Sequence, residues 1–286
     1  QDSKAVESIK SGTVKKLLSS MQDLAKKKPE KYQKFWNEFG RALKEGPAED
    51  FTNKEKIAGL LRFSSTNSKS DEQDVSLTDY IERMKAEQEV IYYITADSLM
   101  AAKNSPHLEI FKKKDIEVIL LGDRVDEWMI ASLPEFSGKK LQSIAKGDLD
   151  LGKLEDKKEK DKKKKIEDDA KNLVEKIKES LGDKVAEVKV THRLTDSPAC
   201  LVVGENDISG NLERILKAAG QNTPDIKPIL EINPEHDLIK KLDSYQGKKE
   251  FNEYSSVIFD QALLSEGGQL EDPVSFIKKI NHLLVK

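Results

Sequence analysis

The stretch EVIYYITADSLMAAKNSPHLEIFKKKDIEVILLGDRVDEWMIASL, residues 89–133, decides how the chain is read. It opens with a short β-rich run, 89–96, and Asp97 follows where a helix cap is expected. HLEIFKKK supplies a helical turn or two. EVILLG, 117–122, is a second apolar run of buried-strand length, and DRVDEWMIASL then takes up helical spacing. Strand, helix, strand, helix at this spacing predicts parallel strands joined by crossover helices.

Upstream, residues 1–62 read as helical. KYQKFWNEFGRALKEG places Tyr32, Phe35, Trp36, Phe39 and Leu43 on one stripe, with Pro29 near its start and Gly46-Pro47 at its end. SSTNSKSDEQD, 64–74, is a loop, and VSLTDYIERMK is a helix capped by Ser76. Downstream, 151–182 reads as one charged helix. Its first twenty residues hold eight lysines against seven acids, and Asp156–Lys160, Glu159–Lys163 and Asp161–Lys165 are acid-first pairs four apart. That pattern predicts a solvated linking helix rather than a one-signed nucleic-acid footprint. A unit boundary falls near residue 160.

The last block carries strands at KVAEVKV, ACLVV and KPILEIN and an amphipathic helix at NLERILKAAG. Asn233-Pro234 and Asp272-Pro273 read as helix starts. Two helices close the chain. The first offers Phe251, Tyr254, Val257, Ile258, Leu263 and Leu264; the second offers Phe276, Ile277, Ile280, Leu283 and Leu284. An apolar terminal helix must bury that face, and a second copy of the pair would make a four-helix interface. The fold class expected is mixed α+β and α/β: a helical segment, a small αβα unit, then an α+β unit ending in two bundle-forming helices.

With 37% hydrophobic and 35% charged residues, the chain reads as folded and highly charged. A net charge of −3 creates no general pull toward nucleic acid or an anionic membrane. No apolar run reaches bilayer-spanning length. A single cysteine and no signal peptide favour a reducing, cytoplasmic setting.

Little in the sequence points to chemistry. Gly-rich phosphate loops, nucleophile elbows and metal-ligand spacings are absent. THRLTDSPACLVV, 191–203, holds His192, Asp196 and Cys200, the letters of a thiol site. Cys200 lies in an apolar strand, however, where a free cysteine behaves as a small apolar residue. The acids Asp123, Asp126 and Glu127 cluster at a helix start, where the helix dipole accounts for them. Trp128 is open to two readings, a core residue or an exposed anchor for a partner.

KYQKFWNEFGRALKEGPAEDFTNKEKIAGLLRF, VSLTDYIERMKAEQEVIYYITADS, SPHLEIFKKKDIEVILLGDRVDEWM, THRLTDSPA, NLERILKAAG and DQALLSEGGQLEDPVSFIKKINHLL occur here in order. Through them the chain resembles the C-terminal half of the ninety-kilodalton heat-shock chaperone family, in its bacterial form. The resemblance implies the later part of a middle domain over 1–158, helical to 62 and αβα over 75–158. It implies a C-terminal dimerisation domain over 159–286. It also implies a homodimer, partly folded client proteins as partners and possible work with the bacterial seventy-kilodalton chaperone system.

The family's ATP and Mg belong to the full-length protein, so no cofactor and no hydrolysis are expected of this chain alone. Gln1 matches a glutamine that contacts the nucleotide phosphate. Client contacts map to Glu127 and Trp128, to Ala131 where a polar residue is expected, and to Ile208, Ile215 and Leu216, aliphatic where relatives carry Met or Phe. No acidic tail of the eukaryotic type is present, so co-chaperones that read one are not expected. Two other readings stand beside this one: a dimerising linker without client contacts, and an α/β enzyme with its site near Ala96-Asp97 and Gly122-Asp123.

Overall fold

The structure, a computed structural model, describes residues 4–155 and 157–285, with Ala5 described by its backbone alone. Gln1 and the Asp156 end of the Asp156–Lys160 pair lie outside the described residues. Helices α1 (Lys4–Lys27) and α2 (Pro29–Glu49) pack together at the start. The inward face of α2 is Tyr32, Trp36, Gly40, Lys44 and Pro47, close to one four-residue row. Gly40 is there for space: a Cβ would sit 2.7 Å from the Trp36 indole. Phe39, read as part of the stripe, is exposed, and Pro47 lies inside the helix rather than ending it.

The chain then forms α3 (Lys54–Ala58), β1 (Ser64–Ser65), α4 (Leu77–Arg83), β2 (Val90–Thr95), α5 (Leu99–Lys103), α6 (Glu109–Lys113), β3 (Ile119–Leu121) and α7 (Asp126–Ser132). Ser76 caps α4 through a full capping box with Asp79. The cap of α5 is Ser98, one residue beyond the expected Asp97; its Oγ accepts from the Ala101 amide. Strands β4 (Glu135–Phe136) and β5 (Lys139–Ser143) make a hairpin that the sequence reading did not include. Its turn holds Ser137 and Gly138 at φ +48° and +73°, the two-residue pattern that matches strand twist.

The five strands run in the order β1-β3-β2-β5-β4, with β2 parallel to both β3 and β5, as the strand-helix alternation predicts. Both faces of this sheet are covered. Ile91, Ile119 and Leu121 pack toward Tyr80, Met129 and α2, while Tyr92, Ile94, Val118 and Leu120 pack toward Leu108 and Phe111. Each such side chain, fully buried, contributes about 1.5–3 kcal/mol.

The rest of the chain forms α8 (Lys157–Leu181), β6 (Glu187–Val190), β7 (Ala199–Val202), α9 (Gly210–Ala218), β8 (Ile229–Ile232), α10 (Asp237–Asp243), α11 (Glu250–Ser265) and α12 (Pro273–Leu284). The linking-helix reading holds for the first half of α8 only. Its second half buries Ala170, Leu173, Ile177 and Leu181 against β6 and α11. Glu159 pairs with Lys114, and Lys163 with Glu155. Asn233-Pro234 does not start a helix; α10 begins at Asp237, capped by His236 Nδ1. β6 and β7 follow one another in sequence but are not neighbours in the sheet: β8 lies between them, parallel to β6 and antiparallel to β7.

Strand alternation divides this second sheet. Val188, Ala199, Leu201, Leu230 and Ile232 face the core made by α8, α10 and α11. Register pairs Cys200 with Glu231 on the opposite face. There Arg193, 2% exposed, donates through Nε to Glu231 at 2.6 Å and through Nη2 at 3.1 Å. The same guanidinium donates to the carbonyls of Ile144 and, at 2.8 Å, Gly147, next to the first sheet. In return the Ile110 amide donates to the Arg193 carbonyl at 3.1 Å. Glu109 completes the joint: its carboxylate accepts the amides of Thr195, Asp196 (2.7 Å) and Ser197 (3.2 Å) and the Ser197 hydroxyl. Burial alone would raise the Glu109 pKa, but these donors together hold it below the usual range.

Removing one partner of a buried pair leaves an uncompensated charge, at a cost of about 3–5 kcal/mol. Glu231→Ala is therefore expected to lose about 3 kcal/mol or more in urea unfolding, while Cys200→Val loses about 1 kcal/mol at most. Equal stability of the two variants would contradict the joint described here.

Candidate functional site

Helix α7 is held on its inner side at two points. Lys44, 1% exposed on α2, places its ammonium 2.7 Å from Asp126 and 2.9 Å from Asp123. One cation thus serves two carboxylates. Burial pushes the Asp126 pKa up. Burial also raises Asp123, but Lys44, Gln73 and Arg41 outweigh it, and that carboxyl stays low. Two of the acids read as a response to the helix dipole, Asp123 and Asp126, are ion-pair partners of the neighbouring helix α2.

The second hold is Glu127. It is buried, and its Oε1 accepts from Ser209 Oγ and from Asn211 Nδ2, both at 2.8 Å. Ser209 is the cap of α9, with its Oγ also accepting from the Leu212 amide at 2.9 Å. Glu127, expected on the client face, is therefore turned inward and ties α7 to the start of α9. Trp128, next in sequence, points the other way and is 47% exposed. Ala131, three residues on, is exposed beside it. Ile208, Ile215 and Leu216 are half-buried around α9.

The terminal helices separate into inward and outward residues. Phe251, Tyr254, Val257, Ile258 and Leu283, expected at a dimer interface, lie in the chain's own core. Leu263, Phe276 and Ile280 pack against that core from its edge. His282 meets Glu253 at 2.7 Å and Lys279 donates to Ser256 at 2.8 Å, which fixes α12 on α11. Outward remain Leu264 on α11 and, on α12, Val274, Ile277 and Leu284; Leu284 is 78% exposed. Spacing of three and then seven puts the last three on one helix face.

His192 and Cys200 do not form a pair. His192 Nε2 meets Glu167 on α8 at 3.0 Å, and burial lowers its pKa. Cys200 is fully buried, its Sγ 3.9 Å from Glu231, and burial pushes the thiol well up. Among the described residues no group of His, Cys, Asp or Glu could hold a metal ion, and no helix is long and apolar enough to cross a membrane.

The sequence reading missed Lys44, Ser209 and Asn211. For Lys44 a signal existed: it continues the Tyr32, Trp36, Gly40 row, so a lysine stood on a buried face. Ser209 and Asn211 carried none, because their role depends on a contact 82 and 84 residues away.

Residues 1–286 match the Hsp90 protein family, and the chain belongs to that family of chaperones. Among its relatives are three proteins called Chaperone protein HtpG. The one from Nitrosospira multiformis is 60% identical over 289 residues, the one from Nitrosococcus oceani 58% over 285, and the one from Coxiella burnetii 56% over 285. Each match covers 100% of this chain and 45% of the relative. The chain thus spans a little under half the length of these relatives.

Because Glu127 is the acceptor for two side chains of the α9 start, Glu127→Ala leaves both without it, at about 1–3 kcal/mol. Amide hydrogen exchange over 209–213 is expected to speed up in this variant while exchange in β2 and β3 stays slow. Unchanged exchange over 209–213 would mean that Glu127 does not hold α9.

Proposed function

We propose that this chain is the client-binding and dimerising part of a heat-shock chaperone whose ATP and Mg chemistry takes place in the full-length protein. On this reading 1–158 is the end of the middle domain, 159–286 is the dimerisation domain, and Gln1 serves the nucleotide phosphate. The working environment is the cytoplasm. The partners are a second copy of the chain, partly folded proteins and the seventy-kilodalton chaperone system.

The observation that carries the client-binding half is Trp128. A large aromatic, 47% exposed, stands on a helix whose other side is fixed by Lys44 and Glu127. A rigidly mounted exposed Trp has the properties of a binding anchor, because little side-chain freedom is left to lose on contact. Ala131 and the aliphatic positions Ile208, Ile215 and Leu216 extend the surface, and Glu127 positions it from beneath. Support for dimerisation comes from Ile277 and Leu284, an apolar face on a terminal helix that the chain's own core leaves uncovered.

Trp128→Ala is expected to weaken binding of a partly folded protein by about 1 kcal/mol or more, or about fivefold, with unchanged circular dichroism. Wild-type affinity would remove Trp128 from the site. In sedimentation equilibrium at micromolar concentration the parent chain is expected as a dimer and the double variant Ile277→Glu/Leu284→Glu as a folded monomer. A double variant that still dimerises would place the interface elsewhere.

A further inference from the structure

Where the two sheets meet, a crevice of about 760 Å³ opens between the carboxyl end of β2, the strand β7, helix α9 and the loop after α11. It lies beside a place where the segments after β5 and β7 exchange backbone bonds: Lys146 bridges to Val203, and the Gly147 amide donates to the Val203 carbonyl at 2.9 Å. Its walls are mixed, with Ala101 on one side and Ile215 and Ile226 on the other among polar and charged side chains. That volume is in the range of small-molecule sites.

The charges at its rim are unevenly matched. Each carboxylate there already has a cationic or imidazole neighbour: Asp97 pairs with Arg214 at 3.1 Å, Glu213 with Lys217 at 2.6 Å, and Glu266 faces His107 at 2.9 Å. Lys146 has none. Its Nζ donates to the Asp207 carbonyl at 2.7 Å, and among the described residues no carboxylate lies within ion-pair distance of it. Half-buried, the ammonium has two further protons, and burial lowers its pKa although the Glu127 and Asp207 carboxylates act to raise it. Nor has the Arg214 Nε a partner, although it is inaccessible to solvent. At Lys146 burial outweighs these two carboxylates, neither of which forms an ion pair with it, and an anion arriving in the crevice at hydrogen-bond distance would offset that burial.

We propose that this crevice binds a small amphipathic organic anion, an alkyl or aryl carboxylate. Its apolar body lies between Ala101, Ile215 and Ile226, and its head group meets Lys146. Because the walls belong to both sheets, the occupant stabilises the joint between them. The site shares Ile215 with the surface proposed for clients but does not include Trp128, and the proposal stands whether or not Trp128 binds clients.

Octanoate is the probe and octan-1-ol its uncharged counterpart, each titrated into the 286-residue chain by calorimetry. A ligand of this size is expected to bind with a Kd on the order of 1 mM or tighter. Octan-1-ol is expected to bind at least about tenfold more weakly, and Lys146→Met to lower octanoate affinity by about tenfold. Ala101→Trp, a change at an exposed position on the crevice wall, is expected to block the site with the fold intact. Trp128→Ala is expected to leave octanoate binding unchanged. The proposal is overturned by any of three results: no saturable binding of octanoate, equal affinity for octan-1-ol, or octanoate binding that depends on Trp128 rather than on Lys146 and Ala101.

Discussion

The arrangement depends on the buried pair Arg193–Glu231. A guanidinium in a dry site is tolerable only if its donors are used, and here they are: two reach Glu231 and others reach the Ile144 and Gly147 carbonyls. Glu231 stands on the face of the second sheet turned away from its core, and Arg193 reaches from that face to the first sheet. A lysine could supply a charge but not this fork of donors. The loop 195–197 then closes on Glu109, so that neutral amides and one carboxylate lock the same joint. The directional bonds of Arg193 connect the second sheet to the carbonyls beside the first.

Everything proposed for function is mounted on that joint. Helix α7 leaves the first sheet and α9 leaves the second, and Glu127 connects them once the sheets are fixed. Trp128 owes its outward direction to the residues on either side of it in sequence: Asp126 and Glu127 face inward, and Met129 is buried. The terminal helices follow the same economy of faces. α11 spends its apolar residues on the chain's own core, and α12, held by Leu283 and two polar contacts, keeps Ile277 and Leu284 outside.

Much of this was legible in the sequence, and the losses have identifiable causes. Strands at 90–95, 119–121, 187–190, 199–202 and 229–232 announce themselves as apolar runs bounded by turns. The β4–β5 hairpin did not, because two- and five-residue strands give too short a pattern, though the Ser137-Gly138 turn was a usable sign. Periodicity located the apolar residues of α11 and α12 but could not separate a core-facing position such as Val257 from an outward one such as Ile277. That separation is decided by which neighbour arrives first. Charged residues were the hardest. Glu231 reads as the solvent-facing member of an alternating strand, and Asp126 as a favourable charge at a helix start. Their partners Arg193 and Lys44 are 38 and 82 residues away, a distance that local rules do not see.

We propose that α7 and α9, joined through Glu127 over the Arg193–Glu231 joint, act as one surface for partly folded proteins. Amide hydrogen exchange of the chain with and without such a protein tests it directly. Protection of 126–132 and 210–218 together, rising in parallel as the partner is added, is the predicted result. Protection of one helix without the other, or of neither, would contradict it.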